Sequence, residues 1–539
     1  MILDYVDGSK AFVLRVPRGE ADIRPLMMEH GLDLSTSDST AAEAVLFTRE
    51  PYAAVTFFKY ATPAAKQMLK GLADQISLSW KADSGRRFRM PKDKELWDYQ
   101  KGTLEYALDR SHCLIGDEPG LGKSPMALVY CNEVEADRVL IICPAAIRLQ
   151  WARYVSEWST TPWTRSVHCV LNGRHGIHPT ANFTIISYDL ARTEGLGKAL
   201  AANKYDVLIL DEAHALKTID SKRTRAICGG GDDRQFEPIM EQCSRVLALT
   251  GTPLPNRPRE AYTLARSLCF ESIDWMSEAR FSERFNPSMT RYDDQGQMLY
   301  VDERTGRHAE LQNRLRANFM VRHLKRDVAP QLKLPVYDLV YAEESNAIRQ
   351  ALAAENLLGI DPDQLTGADA LLLGHISVVR RQMGVAMAPA AVDYVRMLLD
   401  GGEDKLVVFG WHTEVLDILQ AGLQKSGVVR VDGSTTAKQR ELNINKFIRD
   451  RSCKVIIGNL LSLGTGVDGL QHVCNHALIA EPDWVPGNNI QAFDRLNRTG
   501  QTRTVQCDIM VAQNSFAERI LAAAIRKLDI TTKALDTQW

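Results

Sequence analysis

Gly116 to Ser124 spell GDEPGLGKS, between an apolar run ending at Ile115 and an amphipathic stretch opening at Pro125. A loop of this kind surrounds anionic oxygens with backbone N–H groups, and glycines let those groups turn inward ahead of a helix N-terminus. Gly120 and Gly122 supply that freedom, so Asp117, Glu118, Gly120, Leu121 and Gly122 are expected to wrap a nucleotide. Lys123 is placed to reach the β- and γ-phosphates of ATP, and Ser124 to ligate Mg²⁺. Asp117 stands where the G-x-x-x-x-G-K-[ST] pattern has its first glycine.

Downstream, Asp206 to His214 read DVLILDEAH, an apolar strand ending in two acids. A parallel strand presents such a terminus beside the phosphate loop. Asp211 is suited to hold Mg²⁺ through water. Glu212 is suited to orient and deprotonate an attacking water, because in-line phosphoryl transfer needs a positioned base.

Further out, short β-branched runs alternate with helical stretches from about residue 96, which predicts parallel sheets with crossover helices. One block holds runs at 112–116, 138–144, 183–188, 207–211 and 246–250. A second holds 406–410, 428–432, 454–459, 477–481 and 505–511. The expected fold is α/β, with two tandem RecA-like lobes, each a parallel sheet flanked by helices, a helical insertion between them and a small N-terminal α+β module. The boundaries drawn are 1–90 for the module, 91–270 for lobe 1, 271–375 for the insertion, 376–515 for lobe 2 and 516–539 for a C-terminal helix. Within the module, Ile2–Val6 and Ala11–Val16 predict a hairpin, Ala21–His30 a helix, and Ala44–Phe47 and Ala53–Tyr60 two strands. Pro63 opens a second helix. Residues 81–94 carry six Lys or Arg around Trp80 and Phe88. They form either a basic strip for a phosphate backbone or a solvated linker.

The whole chain of 539 residues balances 65 Lys and Arg against 67 Asp and Glu. Nucleic-acid binding therefore has to come from local patches. With 45% hydrophobic and 24% charged residues the chain is an ordinary globular mixture. No apolar run reaches the ~18 residues of a membrane span, and the start, MILDYVDGSK, is acidic where a secretory signal is basic. Ten cysteines without a C-x-x-C pair give neither a zinc site nor a disulfide framework. A cytoplasmic protein, without membrane and monomeric, is expected.

Six signatures, counting the two above, stand in one order: LWDYQ (96–100), DEPGLGKS (117–124), CPAAIRLQW (143–151), DEAH (211–214), LTGTPLPN (249–256) and QAFDRLNRTGQ (491–501). Together they resemble the Swi/Snf family of DNA-dependent ATPases within helicase superfamily two, over about residues 96–520. The resemblance implies that Gln100 reads adenine and that Thr250 and Thr252 couple the acids to nucleic acid. It also implies that Gln491 lies at the nucleotide, and that Arg495 and Arg498 reach its phosphates from lobe 2. Distal arginines of this kind contribute roughly 10³–10⁵ in rate in related phosphoryl-transfer systems. DNA contacts are expected at Pro144, Gln150, Trp151, Ser187, Tyr188, Thr250 and Thr252 on lobe 1, at Arg322 and Lys325 in VRHLKRDV, and at Gly433, Ser434, Arg440, Ser462, Gly464 and Thr465 on lobe 2. Hydroxyls and backbone N–H groups grip phosphates without reading bases.

Some positions depart from the family pattern. His323 replaces the second arginine of a pair, Asp468 stands near an expected Asn, and Val485 takes the place of another Asn. These departures point to a compact, divergent bacterial or phage-like branch, nucleoid-associated or in a host cytoplasm. The implied function is ATP hydrolysis coupled to translocation along double-stranded or branched DNA, as a remodelling, fork-regression or annealing motor rather than a processive unwinding helicase. DNA-repair, replication or transcription proteins are its expected partners. Two alternatives stand beside it: an RNA- or DNA-unwinding DExH helicase, and a factor that displaces or recycles RNA polymerase. The short stretch after lobe 2 argues against nucleosome remodelling.

Overall fold

The computed structural model describes residues 1–521 except 161–165, 231–236, 255–256, 288, 293–297, 302–305, 330–331, 334, 358–369, 464–468, 484–485, 499, 516 and 520. Strands β1 (Ile2–Val6), β2 (Ala11–Pro17), β3 (Asp33–Ser35) and β4 (Glu43–Thr48) form an antiparallel sheet in the order β1-β2-β4-β3. The helix Pro63–Leu78 covers one face. Its Ala65, Leu69, Ala73 and Ile76 recur at helical spacing and are buried with Leu3, Leu14, Val16 and Leu46. Thr62 caps this helix by accepting from the Ala65 amide. Residues 53–60 are not a strand. Glu50 caps a helix at Pro51–Ala54 that continues as 3-10 turns over Val55–Tyr60, so capping overrides the β-branched and aromatic composition that suggested extension.

β5 (His112–Ile115), β6 (Val139–Cys143), β7 (Val167–Cys169), β8 (Phe183–Ser187), β9 (Tyr205–Asp211) and β10 (Cys243–Leu249) build the first parallel sheet. The strands β6 and β8 are buried at every position, as expected where helices cover both faces. A hairpin of β11 (Met289–Tyr292) and β12 (Met298–Val301) follows, and β13 (Met320–Val321) then joins the edge of β5. The order is β13-β5-β10-β9-β6-β8-β7. β14 (Val336–Tyr341), β15 (Leu406–Gly410), β16 (Val428–Val431), β17 (Val455–Asn459), β18 (His476–Ile479) and β19 (Gln506–Val511) form the second parallel sheet, ordered β14-β19-β18-β15-β17-β16. These are two tandem RecA-like lobes.

The stretch 271–375 differs from the separate helical insertion read from sequence. Its β13 completes the first sheet and its β14 the second, so the chain passes from one lobe to the other between Val321 and Val336. A two-residue strand has no periodicity to detect, and the edge strand β14 is exposed at most positions. The helix His308–Asn318 is buried along its length despite its charges. Its Glu310 and Arg314, 0% and 1% exposed at the side chain, pair with each other, and Arg314 also meets Glu50 of the N-terminal module. Arg284 pairs with the same two acids. The Arg314 guanidinium lies 4.6 Å from the Tyr52 ring centroid. A buried pair of this kind is costly to break from one side, and it fixes the module to lobe 1.

Residues 81–94 are anchored to lobe 1 while most of their cations stay exposed. Arg86 and Arg89 pair with Glu133 and Glu135 of lobe 1, and Phe88 is buried. Residues beyond 521, where the C-terminal helix is expected, lie outside the described residues. No helix among the described residues is long and apolar enough to cross a membrane.

On the second sheet His476 Nε2 lies 2.7 Å from Asp508 Oδ2, and Nδ1 lies 3.2 Å from Glu403. Burial alone would lower the imidazole pKa, but the two carboxylates outweigh it and raise it above the usual 6.5. A folded pKa above the unfolded one gives stability that is complete at low pH and is lost as pH rises through the raised value. Urea midpoints measured between about pH 5.5 and 8.5 should fall across this window in the wild type, and this component of the slope should vanish in His476→Gln.

Candidate active site

The loop Gly116–Gly122 leaves β5 and ends at the helix Lys123–Glu133. Gly120 and Gly122 have φ of +87° and +79°. These left-handed values favour glycine, and the surroundings require it as well. A Cβ on Gly122 would stand 2.4 Å from Gln100 Nε2, and one on Gly120 2.8 Å from Cβ of Arg498, which belongs to lobe 2. The phosphate loop of one lobe is thus in contact with the arginine segment of the other.

Lys123 Nζ donates to the carbonyls of Asp117 (2.6 Å) and Glu118 (3.1 Å). Burial lowers its pKa against the opposing pull of Glu212, Asp117 and Asp211. Asp211 ends β9 and its carboxylate is held from two sides. Trp151 Nε1 donates to Oδ2 at 2.7 Å and the Glu212 amide to Oδ1 at 2.9 Å. Burial, then the neighbouring Glu212 charge, push the Asp211 pKa up. Glu212 moves the other way. Burial would raise it, but the hydrogen bond and charge of His214, with Lys123 and Arg495, hold it down. Glu212 adopts φ 53°, ψ 49°, a strained conformation for a residue with a Cβ.

Across the cleft, Gln491 Nε2 donates to Glu212 Oε1 at 2.6 Å. His214 Nδ1 lies 3.3 Å from the other Glu212 oxygen and 3.1 Å from Thr250 Oγ1, and Thr250 Oγ1 accepts from the Thr252 amide. A continuous polar path therefore runs from lobe 2 through the DEAH acids to the LTGTP segment. Arg495 and Arg498 both face the same cavity of about 420 Å³, lined also by Gln100, Gly120, Gly122, Lys123, Ser124, Asp211 and Glu212. Burial and the adjacent Arg498 lower the Arg495 pKa to about 10, and among the described residues buried Arg495 Nε has no hydrogen-bond partner.

Several residues picked from sequence stand elsewhere. Asp117 is fully buried and turns away from the cavity to bond the His323 amide at 2.8 Å and the Thr103 hydroxyl at 3.1 Å, with His323 Nδ1 3.1 Å away. The two departures, Asp117 from the loop pattern and His323 from the arginine pair, therefore meet each other. Glu118 Oε2 accepts from the Lys325 amide, so its side chain also faces protein. The Leu121 side chain is buried, and its carbonyl accepts from Tyr99 and Gln100. With Leu121 O and the Trp97 amide as partners, the Gln100 amide group is held at the cavity edge.

The expected DNA contacts divide. Trp151 and Gln150 line the nucleotide cavity. Ser187 is buried as the cap of the helix Tyr188–Ala191, and Tyr188 is buried with its hydroxyl on the Asp211 carbonyl. Thr250 is also buried. Arg322 donates inward to the carbonyls of Gly116 (2.5 Å) and Gly251 (3.1 Å), and Lys325 is buried against Asp494. Trp151, Ser187, Tyr188, Thr250, Arg322 and Lys325 offer no surface to a phosphate backbone, because each is buried among its partners. Pro144 and Thr252 remain partly exposed at strand ends. Gly433 and Ser434 form an open turn organised by Asp432, whose Oδ1 accepts from the Ser434 amide and hydroxyl. The Ser462 carbonyl accepts from Arg440. Gly464, Thr465, Asp468 and Val485 lie outside the described residues.

Sequence reasoning missed part of the lining. Trp97, Tyr154 and Trp158 wall the cavity from lobe 1, and Gln471 and His472 from lobe 2. The spacing of Trp151, Tyr154 and Trp158 along one helix was a usable signal, but it reads equally as a core face.

The fold and cleft define a two-lobed P-loop protein of the helicase type, with acids on one lobe and arginines on the other. Residues 99–349 match the SNF2-related domain and residues 390–500 the helicase conserved C-terminal domain. The chain carries both domains in that order, the pair that its resemblance to the Swi/Snf family implies. It is 27% identical to the Bos taurus DNA annealing helicase and endonuclease ZRANB3 over 87% of this chain and 43% of that protein. It is 28% identical to the Xenopus laevis SWI/SNF-related matrix-associated actin-dependent regulator of chromatin subfamily A-like protein 1, over 81% of this chain and 44% of that one. The chain thus spans less than half the length of these relatives. The Sulfolobus solfataricus SWI2/SNF2 ATPase core in complex with dsDNA is similar over 82% of this chain and 93% of that one, at 18% identity and a TM-score of 0.38.

Three tryptophans at the cavity give a direct readout of occupancy. Titration with Mg·ATP should change intrinsic tryptophan emission saturably, and Lys123→Ala should weaken the response by about tenfold or more, since a charge-assisted phosphate contact is lost. An unchanged affinity would remove Lys123 from the nucleotide.

Proposed function

We propose that this chain hydrolyses ATP between its lobes and uses the cycle to move along double-stranded DNA, remodelling or annealing strands rather than unwinding them processively. The observation that carries the reading is the Gln491–Glu212 hydrogen bond across the cleft, beside the contact of Gly120 with Arg498. The base belongs to one lobe, and its hydrogen-bond partner and the arginines to the other. Turnover then requires the lobes to meet, and repeated meeting and parting is a mechanical cycle.

In this mechanism Lys123 neutralises charge on the terminal phosphates. Glu212, ionised because His214, Lys123 and Arg495 hold its pKa down, orients the attacking water and accepts its proton. Arg495 and Arg498 stabilise charge that develops on the transferred phosphoryl oxygens. Ser124 and Asp211 line one cavity and offer the hard oxygen donors that Mg²⁺ prefers. When bound, Mg²⁺ would supply charge neutralisation at those phosphates. Thr250 and Thr252, bonded to the acids through His214, would carry the state of the site toward DNA.

Duplex DNA as the track is supported by the SNF2-related domain match and by the annealing-helicase relatives. ATPase activity measured with duplex, forked and single-stranded DNA and with RNA should be stimulated most by duplex or forked DNA. Strongest stimulation by RNA would replace this reading with an RNA helicase. In the same assay Glu212→Gln should bind nucleotide and DNA yet lose turnover by about 10²-fold or more. Normal turnover in that variant would remove Glu212 as the base. DNA affinity should fall steeply with salt as backbone contacts release counterions.

A further inference from the structure

Lys325 was read from sequence as a DNA contact, and its surroundings assign it another task. It opens the short turn Lys325–Val328 at the end of lobe 1. The residues just after it, Val328, Ala329 and Leu332, pack against Tyr99 and Leu121 beside the phosphate loop. Its main-chain amide donates to Glu118 Oε2 of that loop at 2.5 Å. Its side chain runs the other way and enters lobe 2. There Nζ is bonded to the Asp494 carboxylate and, at 2.6 Å, to the Asn497 carbonyl. The paired side chains are 10% and 8% exposed.

Asp494 and Asn497 bracket Arg495 and immediately precede Arg498. The helix Pro486–Phe493 has already ended there, and the turn carrying both arginines keeps only a few helix-type bonds, from the Leu496 and Asn497 amides to the Phe493 carbonyl at 2.9 and 3.1 Å and from Arg498 Nε to the Asp494 carbonyl at 3.1 Å. Within lobe 2, Gln501 supports it through the Leu496 carbonyl. Lys325 supplies a brace from outside. A cation suits this place, since carbonyls beyond a helix C-terminus concentrate negative charge. One residue therefore joins the phosphate loop, through its amide, to the arginine turn, through its ammonium.

We propose that Lys325 is a positioning residue, which sets the Arg495–Arg498 turn against the phosphate loop so that both guanidinium groups face the nucleotide only when the lobes are together. This rests on the ATPase reading above. Lys325 touches no substrate atom in this scheme and acts through Asp494 and Asn497. Removing its ammonium leaves the arginines present but misplaced, and a displacement of about 1 Å can cost about 10²-fold in rate.

The test is steady-state ATP hydrolysis with saturating duplex DNA, for the unmodified chain, Lys325→Met, Asp494→Asn and the double variant. Each single variant should lower kcat by about 10²-fold while KM for ATP and duplex affinity stay within about threefold. The double variant should fall no further, because the two changes break one interaction. The exchanged pair Lys325→Asp with Asp494→Lys should recover part of the loss, whereas a merely structural role would lower stability and leave kcat of the folded protein unchanged in every variant. Asp494→Asn is nearly isosteric and keeps the test decisive should Lys325→Met melt early. Unchanged kcat in Asp494→Asn, losses that multiply in the double variant, or a defect confined to DNA affinity would each overturn the proposal while leaving the ATPase reading intact. Absence of turnover in the unmodified chain, with correctly folded protein and duplex DNA present, would overturn that reading and this inference with it.

Discussion

Two acids side by side in a buried cleft cannot both be comfortable, and the site is organised around that conflict. Burial disfavours charge on Asp211 and on Glu212 alike, and each raises the cost of ionising the other. The structure resolves the conflict asymmetrically. Asp211 has an indole N–H and a backbone amide, whereas Glu212 has His214, the field of Lys123 and Arg495, and a carboxamide from the opposite lobe. The charge is thereby concentrated on Glu212, the acid that the opposite lobe touches. Part of what keeps it there, Arg495 and Gln491, arrives only with lobe 2. Electrostatics inside the site is therefore tied to the distance between two domains.

Such an arrangement demands that lobe 1 be rigid, because a base is useful only at a fixed distance from its phosphate. The buried charges outside the cleft serve this end. Arg322 binds the carbonyls of Gly116 and Gly251 at once, tying the start of the phosphate loop to the LTGTP segment. Arg316 reaches the Arg322 carbonyl and the Ser79 carbonyl, and lies 3.3 Å from the Trp80 ring centroid. The end of the N-terminal module is thus two arginines away from the phosphate loop. With Glu50 and Tyr52 gripping Arg314, the module is part of the same solid as lobe 1, although its antiparallel sheet is built separately.

The sheets were legible because parallel strands buried on both faces must be apolar throughout, and VLIIC at Val139–Cys143 can be read no other way once a helix follows it. The phosphate loop, the DEAH acids and the arginine motif were legible because their chemistry needs particular residues at fixed spacings. What escaped was everything decided by long-range packing. β13 is too short to carry a pattern. Residues 53–60 have the composition of a strand but are started as helix by Glu50 and Pro51. His472 and Gln471 reach the cavity only because lobe 2 folds over it, and no local signal marks them.

The misplaced cations teach a narrower lesson. Arg322 and Lys325 sit in a run of basic residues, and a run of basic residues in a DNA-acting family suggests a phosphate track. Free energy points the other way for these two. A guanidinium with two carbonyls at hand, or an ammonium with a carboxylate and a carbonyl, can be taken from water because its donors are satisfied. Among the described residues their neighbour Arg326 has only adjacent Asp327 as an ion-pair partner, 3.5 Å away, with both side chains more than half exposed. Sequence gives these cations one label, but the backbone oxygens of the phosphate loop and of the arginine turn separate them. The interior of a two-lobed motor must supply such oxygens wherever its lobes meet, because the ends of strands and helices converge there with carbonyls that nothing else satisfies. Basic residues at that junction are used first as internal struts, and only those left over are free to meet a polyanion.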